Sequence, residues 1–370
     1  MKVLMVTPSF DPIKGGVEEV VKDFTIELNR IKVSTDVMTF NMVRKWNPIW
    51  KEGIQNVHNF NVFRIPAFNW FPMTHSDRLT FRINLIPGKF HHFFKSYDIV
   101  HFHDGGDLSF PFFSYFNKKR KILHIHGFTD VYKRNILFRY TWKKLADLYT
   151  PISKTIEKGL IEVGIPKSKI RLIPNGINTD IFQSSREKIA NLLLFVGRLD
   201  STKGLHILLE AIRHLKKPIN LVIIGPSDWS SSYFRNILTT INTINEKTIH
   251  TITYLGKLER EETIRWYQKA SIHVRSDIYG LGGGGLTVLE AFACETPVIA
   301  TGNEIVKDGI NGILVPPNDA IKLAEAIQFL LDNEYVGKRY GEEGRKCVLE
   351  NFSIKVIVRR LCEVYEELMR

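Results

Sequence analysis

A chain of 370 residues is too long for one ordinary core and fits two domains of roughly 150–200 residues each. Its composition, 44% hydrophobic and 24% charged, is that of a water-soluble globular protein, and no apolar run approaches the roughly 18–20 residues of a membrane span. The net charge of +12 sits almost wholly in residues 1–182, with 27 Lys+Arg against 16 Asp+Glu; the remainder has 24 against 23, and no nucleic-acid-reading module accompanies the excess.

Short runs rich in Val, Ile and Leu alternate with helix-period segments from end to end, the pattern of parallel sheets covered by helices. The start, Met1-Lys2-Val3-Leu4-Met5-Val6-Thr7-Pro8, is broken too soon for a signal peptide and reads as a first strand, 3–7, before a helix at 17–30. Further strands are expected at 36–40, 99–102, 122–125, 148–151 and 171–173. Between them, 42–82 is the least regular stretch, interrupted by Pro48, Pro66 and Pro72, as binding loops often are. The second half predicts strands at 192–196, 220–224, 249–255, 271–274 and 297–300, a short addition near 313–315, and helices at 205–215 and 286–294. The expected organisation is therefore an α/β chain of two doubly wound units: a domain over 1–182, a polar linker over 183–191, a second domain over 192–352, and a helix-periodic tail over 353–370. Three cysteines, Cys294, Cys347 and Cys362, none in a C-x-x-C pair, fit a reducing compartment without structural zinc, so a cytoplasmic protein is expected.

Three loops carry the chemistry. Gly15-Gly16 opens directly onto the first helix, where bare backbone amides and the helix dipole favour an anion; a plain turn is the competing reading. It is not the G-x-G-x-x-G fingerprint, which argues against a nicotinamide enzyme. In Phe195-Val196-Gly197-Arg198-Leu199-Asp200-Ser201-Thr202-Lys203-Gly204 a buried strand delivers two cations to a helix start, which suits a diphosphate; a surface ion pair of Arg198 with Asp200 is the alternative. Gly280-Leu281-Gly282-Gly283-Gly284-Gly285-Leu286-Thr287 spends glycines where amides must touch a ligand closely. Glu290 follows in the first turns of the next helix, placed to accept from ribose hydroxyls or simply favoured there by the dipole.

Taken in order, Gly15-Gly16-Val17-Glu18, Ile173-Pro174-Asn175-Gly176-Ile177, Gly197-Arg198-Leu199 with Lys203-Gly204, and Leu289-Glu290-Ala291-Phe292-Ala293-Cys294 with Thr296-Pro297-Val298-Ile299-Ala300-Thr301 resemble glycosyltransferase family 4. The resemblance runs over nearly the whole chain and is densest in the second half. It implies the GT-B fold, two Rossmann-like domains facing across a cleft, and a retaining, metal-independent hexosyltransferase using a nucleotide diphosphate sugar. By position, Gly15 and Gly16 would meet the diphosphate, Arg198 and Lys203 beside Gly197 would hold it as it leaves, and Glu290 would bind the ribose. Gly283, Gly284, Gly285, Leu286 and Thr287 would offer amides to sugar and phosphate, and Gly256 and Lys257 would border the base. His126, in Leu123-His124-Ile125-His126-Gly127, matches the family's histidine facing the donor sugar; strand periodicity puts His124 on the same face, so that choice rests on the resemblance. The C-terminal helix would cross back onto the first domain. The chain carries no D-x-D sequence, which agrees with the metal-free expectation: no cofactor and no metal ligand.

The chain departs from the family at two places. Counting eight positions back from Glu290 reaches Gly282, where the family carries a first glutamate; three readings stay open, that another acid such as Asp277 stands in, that the sugar lacks that hydroxyl contact, or that the chain is a weak or inactive relative. Glu295 occupies the position of the usual glycine. Two other expectations follow from Gly282 and the fold: a non-catalytic subunit that binds sugar nucleotides for a partner enzyme, and a GT-B-fold epimerase. The basic and aromatic first half (Arg44-Lys45-Trp46, Trp50-Lys51, Phe93-Phe94-Lys95, Lys118-Lys119-Arg120-Lys121) points to a glycan or lipid-linked acceptor and to peripheral contact with an anionic inner-membrane face.

Overall fold

Two parallel sheets organise the chain, one in each of two units: Met1–Gly176 with Ile354–Arg370, and Ile177–Ser353. The computed structural model describes residues 1–40, 53–65, 94–103, 119–127, 144–185, 187–279 and 285–370.

In the first unit the strands are β1 (Lys2–Val6), β2 (Ser34–Phe40), β3 (Gly53–Val57), β4 (Phe60–Ile65), β5 (Ile99–His103), β6 (Arg120–Ile125) and β7 (Leu148–Pro151). Among the described residues they form one sheet in the order β3-β4-β2-β1-β5-β6-β7, parallel except for the β3 edge, which pairs antiparallel with β4. Their apolar runs are continuous because both faces are covered; Val3, Leu4, Met5, Ile99 and Val100 are fully buried. The order reverses between β1 and β5, so the loops that leave these two strands diverge there. Helix α1 (Gly16–Arg30) buries Val20, Val21, Phe24 and Leu28, and α2 (Lys154–Glu162) starts at Ser153, whose hydroxyl accepts from the amide of Ile156 at 3.2 Å.

Two sequence expectations change in this unit. The strand expected at 171–173 is absent: after an isolated bridge at Ile170 the chain only runs beside β7, with Arg171 N donating to Tyr149 O (2.9 Å) and Ile173 N to Pro151 O (3.1 Å). The β3–β4 hairpin lies inside the stretch read as irregular. Its two-residue turn, His58-Asn59, has φ 48° and 68°, the doubly left-handed geometry that matches strand twist. Asn accepts it readily and His less so, which is why no Asn-Gly signal marked it. The rest of the stretch, 42–52 and 66–82, lies outside the described residues.

The second unit holds β8 (Leu192–Val196), β9 (Asn220–Ile224), β10 (Thr251–Tyr254), β11 (Ile272–Arg275), β12 (Val298–Thr301) and β13 (Gly312–Val315), all parallel in the order β10-β9-β8-β11-β12-β13. The strand expected at 249–255 shortens to β10, with Ile249 exposed. Helices α3 (Leu205–Ile212), α4 (Ser232–Lys247), α5 (Arg260–Lys269), α6 (Leu286–Ala293), α7 (Ala320–Asp332) and α8 (Glu334–Asn351) follow. Leu205, Leu208, Leu209 and Leu323 fill one face of the sheet, while Val288, Leu289, Phe292 and Tyr267 fill the other. Strand order reverses between β8 and β11, where an open parallel sheet parts its loops beyond the carboxyl ends and leaves room for a ligand.

The division falls at Gly176–Ile177 rather than near residue 183. Ile177 and Phe182 are buried in the second unit's core. The polar stretch read as a linker is tied to that unit too: Lys188 Nζ donates to the carbonyls of Tyr267 (3.2 Å) and Cys294 (3.0 Å) and to the Thr296 hydroxyl (2.6 Å). Burial pushes this ammonium down to about 8.

Helix α9 (Ile354–Met369) belongs to the first unit, packs on α1 and buries Ile357, Val358, Leu361, Val364 and Tyr365. Among the described residues no helix is long and apolar enough to cross a membrane. Leu361, fully buried, should cost about 2–5 kcal/mol of first-unit stability when changed to Ala. Urea titration followed by circular dichroism reads this loss.

Candidate functional site

The best-defined constellation lies at the β8/β11 parting of the second unit. After β8 the chain turns at Gly197, whose amide donates to Ile224 O at 3.0 Å. Asp200 caps a short 3-10 turn over Ser201–Lys203, its carboxylate accepting from Thr202 N at 3.0 Å. Gly204 then enters the left-handed region at φ 65° to begin α3. A Cβ at Gly204 would stand 1.8 Å from the carbonyl oxygen of Ser276, so only glycine fits. The same contact is reinforced in reverse: the Ser276 hydroxyl donates to the carbonyls of Lys203 (3.2 Å) and Gly204 (2.9 Å), and Ile278 N donates to Thr202 O (3.1 Å). Two loops at the ends of adjacent strands are thereby fastened together.

Lys203 Nζ donates to Asp277 Oδ1 at 2.9 Å. The other carboxylate oxygen, Oδ2, accepts a short bond from Arg275 Nε, and Thr301 Oγ1 donates to the Asp277 carbonyl at 2.6 Å. Burial alone would raise the Asp277 carboxyl, but the Arg275 guanidinium and the Lys203 ammonium outweigh it and hold the group below the usual carboxylate range. Arg275 itself is nearly buried, and its Nη1 has no hydrogen-bond partner among the described residues. Arg198 is different. Its guanidinium, 62% exposed, meets Asp200 at 3.4 Å, so the ion pair allowed by the sequence is present. A pair so exposed is worth about 0–1 kcal/mol and leaves the side chain able to turn toward an anion.

Glu290 lies on α6, which starts at Gly285 with φ 53°, followed by Leu286 and Thr287. Its Oε2 accepts from the Tyr267 hydroxyl at 2.8 Å. Tyr267 is fully buried and held well above its ordinary titration range by burial and by the neighbouring Glu290 charge, while Arg275 acts in the opposite direction. Lys203, Asp277, Arg275, Tyr267 and Glu290 are thus linked through hydrogen bonds and electrostatics. Gly256, with φ 74°, accepts from Gly225 N at 2.8 Å beyond the ends of β9 and β10, and Lys257 beside it is exposed. Gly282, Gly283 and Gly284 lie outside the described residues.

Sequence reasoning missed two members. Arg275 precedes Asp277 by two at a strand end, so the strand period puts them on one face; that signal was legible. Tyr267 sits on a different helix, 23 residues from Glu290, and nothing local announced it.

In the first unit, Gly15 caps α1 in extended backbone at φ −154°, a conformation open to any residue, and Gly16 is exposed in its first turn. The Glu18 carboxylate folds back there to accept a short bond from Ser9 Oγ. His126 ends β6 with Nε2 3.0 Å from His103 Nδ1 and a hydrogen bond with Asn175. The parallel register pairs His103 with His124, so four imidazoles pile on one face. Ring centroids are 4.4 Å apart for His101 and His103, 5.0 Å for His103 and His124, and 4.7 Å for His124 and His126. His101, His103 and His124 are buried, while His126 is only partly so. The first three bring ring nitrogens within 4.8 Å of one another. Their planes stack at 30° and 16°, whereas a bound ion lies in the plane of each imidazole, so the rings as placed do not converge on one ion. His101 Nδ1 meets the Tyr365 hydroxyl of α9 at 2.7 Å.

Two family models cover the chain almost end to end, "Glycosyltransferase Family 4" over residues 14–181 and "Glycosyl transferases group 1" over 177–347. A putative glycosyltransferase of Bacillus subtilis, EpsD, is 31% identical over 74% of this chain and 77% of its own length. The chain belongs to glycosyltransferase family 4. O-antigen chain mannosyltransferase C of Escherichia coli is 25% identical over 100% of this chain and 99% of its own. Among solved structures, Anabaena HepE in complex with UDP and glucose superposes with a TM-score of 0.79 at 17% identity, over 99% of this chain and 100% of that one. This glycosyltransferase therefore has the GT-B fold, as its sequence motifs implied.

The transferase's histidine stack sets a pH limit. Burial, joined by mutual repulsion of the imidazoles, holds His101, His103 and His124 well below 6.5, and burial takes His126 to about 3 against the pull of its Asn175 bond. The unfolded chain binds these protons near pH 6.5 and the folded chain does not. Stability is therefore full above about 6.5 and is lost as pH falls below it, by about 1.4 kcal/mol per pH unit for each histidine still unprotonated in the folded chain. Urea midpoints between pH 7.5 and 5 should fall more steeply than one proton explains, and His124→Asn should flatten the slope.

Proposed function

We propose that the transferase moves a hexose, with retention of anomeric configuration, from a nucleoside diphosphate sugar to a glycan or lipid-linked acceptor, without a metal ion. The observation that carries this reading is the Lys203 loop, pinned beyond β8 beside a second cation, Arg198, at the ligand-binding edge of a parallel sheet. Two positive groups, Lys203 fixed and Arg198 free to turn, neutralise the charge that develops on a departing diphosphate, the service a divalent ion renders in other transferases. Glu290, steadied by Tyr267, offers its carboxylate to ribose hydroxyls, and the backbone at Gly256 and Lys257 borders the base. The amides around Gly285, Leu286 and Thr287 complete the donor side. Gly15 and Gly16 place first-turn amides of α1 where an anion can approach, and His126 is the polar side chain of its stack open to a sugar hydroxyl.

Relatives support the substrate class: the E. coli protein is named a mannosyltransferase, and the Anabaena structure holds UDP and glucose. The basic excess of the first half supports an anionic or membrane-borne acceptor at the cytoplasmic face.

Incubating the purified chain with UDP-glucose, GDP-mannose and ADP-glucose, and following nucleoside diphosphate release in EDTA, tests the donor and metal readings together. Lys203→Ala and Glu290→Ala should each lower turnover at least 100-fold with the fold intact, as measured by circular dichroism. Activity in EDTA equal to wild-type in both variants would remove the proposal. NMR of the product fixes the stereochemistry, since an α-linked donor must give an α-linked product.

Membrane contact has its own check. Flotation with vesicles containing one-third phosphatidylglycerol should carry the protein at low salt and release it at 0.5 M NaCl, because polybasic attraction is screened within a few ångströms there.

A further inference from the structure

The donor reading leaves two charged groups of the site unused, Arg275 and Asp277. Asp277 lies against both its cations with a side chain only 10% exposed, and Arg275 is 12% exposed. A pair of charges is not withdrawn from water this far without a task for the geometry it fixes, since desolvation makes such pairs poor stabilisers.

Two consequences follow from the layout. First, Lys203 carries a flexible four-carbon stem that would otherwise sample many rotamers, and the rigid carboxylate at 2.9 Å fixes its ammonium. Only one of the three N–H donors is used in that bond, leaving others for a ligand. Second, Asp277 alone would cancel the lysine's charge and repel a diphosphate. Arg275 restores the balance: Lys203, Asp277 and Arg275 together carry +1.

Building on the donor reading above, we infer that Asp277 and Arg275 are positioning residues for diphosphate departure, Asp277 fixing the Lys203 ammonium and Arg275 keeping the site cationic. Several observations converge on it. Asp277 is fixed at its main chain by Thr301, and the neighbouring Ser276 fastens the Lys203 loop, so the carboxylate and the lysine share one rigid frame. The Arg275 bond through Nε orients the carboxylate from the side opposite Lys203. Tyr267, on which Arg275 acts electrostatically, leads on to the ribose-binding Glu290.

The two roles separate in kinetics, because net charge governs donor affinity and placement governs turnover. Calorimetry with UDP, GDP and ADP gives the affinity; release of nucleoside diphosphate from the donor sugar that turns over gives kcat. Asp277→Asn raises the trio to +2 and unfastens the lysine, so nucleoside diphosphate should bind as tightly or tighter while kcat falls roughly tenfold. Arg275→Ala lowers the trio to zero, and affinity should weaken roughly tenfold. The double variant returns to +1, so affinity should recover to near wild-type while kcat stays low. Arg275→Lys, which keeps the charge, should hold wild-type affinity, and it replaces the alanine variant should that one fail to fold.

An Asp277→Asn protein with unchanged kcat would overturn the fixing of Lys203, and a double variant that binds as weakly as Arg275→Ala would overturn the charge argument. Failure of the wild-type chain to bind any of the three nucleotides would overturn the donor reading along with this one. Wild-type binding with unmoved variants would overturn this inference alone.

Discussion

The close approach of Gly204 to Ser276 governs the geometry of the loops beyond β8 and β11. Nothing larger than hydrogen is tolerated between the glycine and the serine carbonyl, and the serine hydroxyl then bonds back to the loop it faces. The contact turns two loops, which leave adjacent strands of a parallel sheet and diverge at its switch point, into a single rigid platform. The lysine on one loop and the aspartate on the other meet because their backbones are locked before their side chains choose rotamers. Similar logic operates one strand over, where a Cβ at Gly225 would stand 1.8 Å from the carbonyl of Gly197. Along this edge the sheet's loops are held by contacts that only glycine permits, which is how a ligand-facing surface made of loops acquires the precision of regular structure.

The two units solve opposite electrostatic problems. Where β5 and β6 run side by side, the first unit keeps four imidazoles neutral, stacking them face to face with several ring nitrogens lacking partners among the described residues. A stack of this kind tolerates no proton without repelling the next. In the second unit each carboxylate oxygen of Asp277 is matched to a cation and the Glu290 carboxylate to a hydroxyl.

Much of this was legible in the chain, for identifiable reasons. Strand alternation survives in the sequence because both faces of a parallel sheet are apolar, and the motif loops show as glycines and cations between strand and helix. The His58-Asn59 hairpin was not legible, since its turn lacks the glycine that normally marks doubly left-handed backbone. Nor was the true division, because Ile177 and Phe182 look like any strand-flanking residues until their burial in the second core is known. At Glu295 the sequence did signal something: a glutamate stands where the family resemblance implies glycine, and the backbone there is left-handed at φ 55°. Arg345 meets its carboxylate at 3.6 Å, and Gly341 packs against its carbonyl, where a Cβ would sit 2.3 Å away. The fold thus keeps the glycine-like turn and accepts a side chain in it, at a cost of about 1–2 kcal/mol.

Gly282 stands where the family resemblance implies an acid, and Asp277 is the acid that the sequence offered in its place. Asp277 does not fill that vacancy in kind, for both of its oxygens are engaged with cations and its low titration range keeps it from acting as a proton donor. What it does is return one negative charge to the neighbourhood while spending it on lysine placement.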